Sequence, residues 1–335
     1  MDTTQHWDVA ALYRFASVPN AEQLRQPLLE LAESLGLCGT LILGLEGING
    51  TIAGKRSDLI ALLNKLGEWQ PALANLAPAW SESGIKPFFR FKVKVKKEIV
   101  TLDVEGADPN VSVGTYCDPD QWDAVISDPD VVVIDTRNDY EFQVGTFDRA
   151  INPKTKGFRE FPTWVDDNLD PAKHKKVAMF CTGGIRCEKG TSMMLNKGFD
   201  EVYHLKGGIL GYLRQRDAEH SKWRGECYVF DQRVSLKHRL EQGSYSNCGG
   251  CRMPLSEADR EHPNYEKGVQ CGNCVHLYSE DDRKRFGERV RQQQLAAARG
   301  EAHLGLSADA LKRKRQQARA LRQARSSASN SSARQ

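Results

Sequence analysis

No stretch of the 335-residue sequence is apolar for long enough to cross a bilayer, and the opening Met1-Asp-Thr-Thr-Gln-His-Trp-Asp lacks the basic and apolar regions of an export signal. These two absences give the expectation of a cytoplasmic protein with no membrane partner. A Gly-x-Gly-x-x-Gly dinucleotide fingerprint is missing, as is a His-x-Asp/Glu pair with a distal histidine, the usual ligand set of a mononuclear iron site. The eight histidines are scattered, and His174 and His204 read as structural. With 40% hydrophobic and 27% charged residues the composition is that of a globular chain, long enough for about two domains plus appendages.

Two features stand against this plain background. The net charge of +3 is uneven: residues 281–335 carry 14 Lys and Arg against 5 Asp and Glu, a net of +9, so residues 1–280 carry −6. A basic tail of this kind is either a solvated charge run or a binder of polyanions. The nine cysteines are also unevenly placed. Cys248, Cys251, Cys271 and Cys274 form two pairs, Cys181 and Cys187 share one glycine loop, and Cys38, Cys117 and Cys227 stand alone as packing residues. In a long chain with no export signal, that grouping points to metal binding and catalysis rather than disulfides.

Hydrophobic periodicity divides the chain. Residues 9–15 are strand-like, residues 21–35 place Leu24, Leu28, Leu31 and Leu35 on one helical face, and Pro27 suits that helix's first turns. Residues 40–45 and 48–53 flank a Glu46-Gly47 turn. Leu59, Leu62, Leu63 and Leu66 mark a second helix, and Phe91, Val93 and Val95 alternate with Lys92, Lys94 and Lys96 as in a half-buried strand. The order βαββαβ predicts a ferredoxin-like sandwich over residues 1–105. The row of lysines either meets a phosphate backbone or protects an edge strand, and Lys86, Arg90, Lys92, Lys94, Lys96 and Lys97 together favour RNA.

From residue 111 to 225 the pattern is α/β. Residues 131–134 form an apolar strand ending at Asp135-Thr136-Arg137. Residues 177–180 form another that runs into Cys181-Thr-Gly-Gly-Ile-Arg186-Cys187, with a helix following to about Asn196, and residues 202–205 lead to Gly207-Gly208-Ile209. Working groups in open α/β sheets gather at the carboxyl ends of strands, where Cys181 lies. A cysteine that opens a glycine loop into a helix faces backbone N–H groups and the positive end of the helix dipole, and Arg186 adds a fixed charge. Both favour the thiolate, so Cys181 and Arg186 are the candidate catalytic pair. Arg137, Thr182, Gly183 and Gly184 are candidate substrate-binding residues around them, with Lys92 and Lys94 further out.

Residues 111–225 resemble a rhodanese domain through Cys181-x4-Arg186, Asp135-Thr136-Arg137 with Glu141-Phe142, and Leu205-x-Gly207-Gly208-Ile209. Related phosphatases use a loop one residue longer, which argues against phosphatase chemistry. A narrower resemblance runs over about residues 7–280: Cys181-Thr-Gly-Gly-Ile-Arg-Cys187-Glu-Lys, Gly47-Ile-Asn-Gly-Thr-Ile-Ala-Gly54, Lys86-Pro-Phe-Phe and Val229-Phe-Asp-Gln-Arg-Val234 are similar to the bacterial tRNA uridine-34 hydroxylase family. That resemblance implies oxygen-dependent formation of 5-hydroxyuridine at the anticodon wobble position, with tRNA as partner, O2 as co-substrate and Cys181 as the reactive residue. The loop alone would equally suit a sulfurtransferase carrying a Cys181 persulfide, and a non-catalytic tRNA-binding module is a third reading. Cys187 stands where rhodaneses commonly place Ser or Thr; it either resolves an oxidised Cys181 or fills space.

Residues 226–280 show little periodicity. Cys248-Gly-Gly-Cys251 and Cys271-Gly-Asn-Cys274, 19 residues apart, have the spacing of a structural zinc site in which four sulfurs close the shell, with an iron–sulfur cluster as the rival. The expected chain is therefore α/β: a ferredoxin-like domain, a rhodanese-like domain, a zinc-binding segment and, over 281–335, a basic helical or disordered tail.

Overall fold

The computed structural model describes residues 6–299. The chain divides into two compact units between Leu277 and Tyr278. Among the described residues no helix is long and apolar enough to cross a membrane.

The N-terminal part of the first unit contains β1 (Trp7–Phe15), α1 (Ala21–Ser34), β2 (Cys38–Gly44), β3 (Gly47–Gly54), α2 (Arg56–Trp69), β4 (Ala79–Ser83) and β5 (Phe91–Val95), in one sheet of order β4-β1-β3-β2-β5. Alternation along each strand sends Ala10, Leu12, Leu41, Leu43, Ile48, Ile52 and Val93 to the face covered by the helices, where they meet Leu24 and Leu28 of α1 and Leu59, Leu62, Leu63 and Leu66 of α2. Each fully buried leucine contributes roughly 1.5–3 kcal/mol, so packing rather than helix propensity holds the two helices. Pro27 lies inside α1, beyond its first turn.

The ferredoxin-like expectation holds with one strand reassigned. The strand that completes βαββαβ is β4, antiparallel to β1 with Trp7 opposite Ser83. The strand at Phe91–Val95 is a fifth one on the opposite edge, parallel to β2 with Leu41 opposite Val93. Ala-Trp-Ser-Glu-Ser carries almost no apolar alternation, and its one buried residue is the polar Ser83, so its pattern is faint. The clear alternation of β5 drew the assignment instead.

The second part contains β6 (Thr115–Cys117), α3 (Pro119–Ser127), β7 (Val131–Asp135), α4 (Asp139–Val144), β8 (Gly145–Phe147), α5 (Phe161–Asn168), β9 (Lys176–Phe180), α6 (Ile185–Asn196), β10 (Glu201–Leu205) and α7 (Gly208–Gln215). Strands β6, β10, β9 and β7 form a parallel sheet in that order. Val177, Ala178, Met179 and Phe180 of β9 are all buried, as a central strand covered on both faces requires. Short pairs follow: β11 (Trp223–Gly225) on β8, β12 (Cys227–Tyr228) with β13 (Ser235–Leu236), and β14 (Ser246–Asn247) with β15 (Pro254–Leu255), then α8 (Glu257–Glu261). In the second unit, α9 (Glu280–Ala298) begins the basic tail as a helix; the rest of the expected helical or disordered tail lies outside the described residues.

The open face of the N-terminal sheet is held against the parallel-sheet part by polar ties. Lys189 of α6, its side chain 3% exposed, reaches Glu46 at 2.7 Å and Glu98 at 2.6 Å. Burial opposes ionisation of Glu98, but the hydrogen bond from Lys189 keeps its carboxyl below the usual range. Arg233 donates to Ser81 Oγ at 2.9 Å, Arg214 to the Trp80 carbonyl at 2.8 Å, and the Gln232 N–H to the Pro87 carbonyl at 2.9 Å. Removing the cation leaves two carboxylates sharing one site. Lys189→Met should therefore lower unfolding stability by about 3 kcal/mol, the low end for a broken buried pair because Glu46 stays partly solvated. Urea denaturation should show this as a reduced midpoint at unchanged slope.

Candidate active site

The apolar run of β9 ends at Cys181, and α6 starts four residues later at Ile185, so the backbone must turn sharply through Thr182, Gly183 and Gly184. Gly184 bears the constraint, with φ at +106°, whereas a β-carbon at Gly183 would meet open space. The turn aims the Gly184 N–H at the Cys181 sulfur, 3.1 Å away. Gly208 packs against the back of the loop: at φ +61° its missing β-carbon would lie 2.5 Å from the Cys181 carbonyl oxygen, which accepts from the Ile209 N–H at 2.9 Å.

Burial opposes ionisation of Cys181. The hydrogen bond from the Cys187 thiol, the Arg186 charge and the N–H groups of Cys187 and Gly184 outweigh it and bring the thiol down to about 6. Cys187 moves the opposite way, well above the ordinary thiol range, because it is buried and donates to its neighbour; Thr136 Oγ1 lies 3.6 Å from its sulfur. Arg186 is fixed in turn by a two-point pair with Glu141, at 2.8 and 2.9 Å, and its Nη2 donates to Thr182 Oγ1 at 3.1 Å. Glu141 is fully buried and reaches back to the Asn138 N–H that caps α4. Helix start, carboxylate, guanidinium and thiolate thus form one chain of charge-assisted contacts.

Arg137 is a correction to the expected set. Its guanidinium has no exposed surface, pairs with Asp135 at 2.6 Å, donates to the Gly145 carbonyl at 2.5 Å and lies 5.1 Å from the Trp223 ring centre. A charge inside a packed layer has to be paired there, and it is the carboxylate at the end of β7 that claims it. Arg137 braces the sheet behind the loop and does not line the cleft.

Above Cys181 opens a cleft of about 920 Å³, near the upper end of the roughly 300–1,000 Å³ of small-molecule sites. Thr182, Gly183 and Arg186 line it from the loop, while the facing wall comes from the N-terminal sheet through Tyr13, Ile42, Asn49 and Thr51. Three groups in it were not singled out from the sequence. Tyr13 of β1 donates to Glu188 of α6 at 2.7 Å, and Tyr116 of β6 hydrogen bonds the same carboxylate. Phe230 stands on the rim, 61% exposed. Alternation in β1 shows only that Tyr13 faces away from the helices; nothing local tells what lies over it. The buried imidazole of His204 packs at a tilt of 49° against Tyr116, ring centres 4.1 Å apart.

Lys92 and Lys94 do not line the cleft, although Lys96 does. All three are exposed on the sheet face that carries Tyr13 and Ile42, since Thr40 pairs with Lys92 and Ile42 with Lys94. They extend that face outward as a positive margin, and among the described residues none of them has an ion-pair partner.

The four paired cysteines converge. Sulfur separations are 3.7 Å for Cys248 and Cys274, 3.8 Å for Cys251 and Cys271, and 3.7 Å for Cys271 and Cys274, with all four sulfurs within 4.8 Å of one another. Four sulfurs each about 2.3 Å from one ion in a tetrahedron stand about 3.8 Å apart, so this set could hold a single metal ion. A multi-iron cluster would spread its cysteines further. Cys38, Cys117 and Cys227 are separate and buried.

Two family models match the chain, the UPF0176 acylphosphatase like domain over residues 7–99 and the rhodanese-like domain over residues 118–215. A curated relative from Teredinibacter turnerae, named tRNA uridine(34) hydroxylase, is 55% identical over 304 residues, spanning 91% of this chain and 94% of its own. The chain belongs to the tRNA uridine(34) hydroxylase family. Among solved structures, a rhodanese-like domain from Anabaena sp. aligns at 15% identity over 33% of this chain and 78% of its own with a TM-score of 0.28. An acylphosphatase from Coxiella burnetii aligns at 19% over 27% and 90% with a TM-score of 0.19. Scores that low add nothing to the fold described above.

The loop geometry predicts a thiol poised for attack. Inactivation by iodoacetamide, followed by peptide mass spectrometry at Cys181, should titrate with a midpoint near 6. Below it the rate should fall ~tenfold per pH unit as the thiolate is protonated. Arg186→Gln should move the midpoint upward. A wild-type midpoint near the ordinary ~8.5 would show that the loop does not stabilise the thiolate.

Proposed function

We propose that this chain is an O2-dependent tRNA hydroxylase that converts uridine 34 of the anticodon to 5-hydroxyuridine, with Cys181 as its nucleophile. The observation that carries the reading is the 55% identity to a tRNA uridine(34) hydroxylase over 91% of the chain. The geometry supplies a chemical reason. Carbon 5 of a uracil is a poor reductant of oxygen, but a thiolate that adds to C6 turns C5 into an electron-rich enol carbon. Cys181 is the thiolate, and Arg186 holds its charge in place. Over the whole reaction one oxygen atom enters at C5, and a two-electron reductant carries the other to water.

Uridine 34 lies in a single-stranded loop, where a base can be turned out without opening a duplex. The cleft accepts such a base, with Thr182 and the backbone of Gly183 and Gly184 beside it. Lys92 and Lys94 on the outer sheet face are suited to the flanking phosphates, which position the substrate without reading its sequence. Working on tRNA, the protein operates in the cytoplasm.

For Cys248, Cys251, Cys271 and Cys274 we propose one zinc ion. When bound, it supplies no chemistry to the substrate, because sulfur fills all four positions; it cross-links a segment with little apolar core. Metal analysis of the purified protein should find one zinc per chain, and its removal with a strong chelator should expose residues near 248–274 to proteolysis while leaving the Cys181 titration unchanged.

The deciding experiment is accurate-mass nucleoside analysis of tRNA from cells lacking the gene, complemented with wild type or Cys181→Ala under ¹⁸O₂. Labelled 5-hydroxyuridine or its descendants are expected with wild type alone. A thiolated nucleoside would replace this reading with sulfur transfer, and no change in any nucleoside would replace it with binding alone.

A further inference from the structure

Glu188 is absent from the groups that hold the thiolate, yet its carboxyl is tied into the cleft. It sits on the first turn of α6 beside Cys187, and its partners come from two other places in the chain: Tyr13 donates to Oε1 at 2.7 Å from β1, and Tyr116 donates from β6. All three line the cleft with Cys181. The Cys181 sulfur lies 3.1 Å from the nitrogen of Gly184, and the Tyr13 hydroxyl 2.7 Å from where that residue's β-carbon would stand, so thiol and phenol approach two sides of one residue.

Apart from Lys96, the cations in and beside the cleft are engaged elsewhere. Lys189, the next residue, is taken by Glu46 and Glu98, Arg186 by Glu141 and Arg233 by Asp231, while Arg14 and Arg214 donate to backbone carbonyls. Glu188 is thus a carboxyl held by two hydrogen-bond donors, Tyr13 and Tyr116. Burial raises its pKa, with the two tyrosine hydrogen bonds opposing, which favours the neutral acid. A protonated carboxyl can accept from both tyrosines and still carry a proton of its own.

We propose that Glu188 is the general acid that protonates O4 of the target pyrimidine as the Cys181 sulfur adds to C6, and that Tyr13 and Tyr116 are positioning residues that aim its carboxyl. The proposal rests on the hydroxylase reading above. In the step, a sulfur lone pair forms the S–C6 bond, the C5–C6 π pair moves to C4–C5, and the C4–O4 π pair takes the proton from Glu188. The products are a neutral enol and the Glu188 carboxylate, and the reverse step restores both. Without the acid, the same addition leaves an enolate charge in a cleft where, among the described lining residues, Lys96 is the one cation without an ion-pair or carbonyl partner.

The test is exchange of the C5 hydrogen of uridine 34 for deuterium, in D2O without oxygen, on an anticodon stem-loop RNA. The enol takes a deuteron at C5 and loses the original proton on reversal, so exchange reads the addition alone. Wild type should exchange this one position and Cys181→Ser should not. Glu188→Gln, which keeps the volume and the tyrosine hydrogen bonds, should bind the RNA within about threefold of wild type, keep the iodoacetamide titration of Cys181, and exchange roughly a hundredfold more slowly. Glu188→Ala should be equally slow, and added acetic acid should restore part of the rate, which a merely structural role would not allow. If wild type exchanges and Glu188→Gln keeps pace within threefold, Glu188 is not the acid while addition by Cys181 stands. If wild type does not exchange, addition at C6 is wrong and this proposal falls with it.

Discussion

A sulfur anion buried at the floor of a cleft is expensive, and the architecture around it can be understood as the means of keeping it there. Taken alone, burial would leave Cys181 a neutral thiol. What reverses this is a set of fixed positive groups: the backbone N–H at Gly184, the guanidinium of Arg186 and the S–H of Cys187. None of these is mobile. Arg186 is clamped by Glu141, whose place is set by the first turn of α4, and the loop is pinned from behind by Gly208. Such a charge is prepaid in folding rather than assembled when substrate arrives.

The loop is only half of the site. A parallel sheet of this type exposes the cysteine at its rim; here the open face of the N-terminal sheet closes over it and turns a shallow rim into an enclosed volume with different chemistry on its two walls. One wall carries the thiolate and its supports. The other carries a phenol, an amide and a hydroxyl, from Tyr13, Asn49 and Thr51, with lysines beyond. The meeting of the two is fixed by Lys189 and Arg233, both nearly inaccessible. Asn49 and Thr51 can therefore change with the substrate at little cost to the thiolate, whereas Tyr13, which bonds Glu188, couples the two walls.

How much of this was legible in the sequence depends on how local each feature is. The Cys181 loop is written in consecutive residues, since a strand, two glycines, an arginine and a helix start leave a signature that few other structures share. The four metal-type cysteines are equally plain in their spacing. Features made across the chain are not. Glu188 could be seen in the motif, but its two tyrosines lie 175 and 72 positions away, and their convergence needs the fold. Arg137 was misread because a basic residue beside a catalytic loop looks like a ligand for substrate, while its claim by Asp135 two residues earlier depends on both being inside. The reassigned strand shows the same limit: periodicity reports burial of a segment, not which neighbour it pairs with.

The tie between Lys189 and the two glutamates also orders events in time. Glu46 and Glu98 belong to a sandwich whose contacts are complete once about the first hundred residues have been made, whereas their cation lies 143 and 91 positions further along. During synthesis the early portion can collapse on its own, and until α6 arrives its open face holds two carboxylates that repel one another and any early docking of an acidic neighbour. Docking is switched on by the same helix that carries Arg186 and Cys187. The reactive sulfur is consequently made after the sheet that covers it, and the helix that activates the thiol is the same one that draws the cover on.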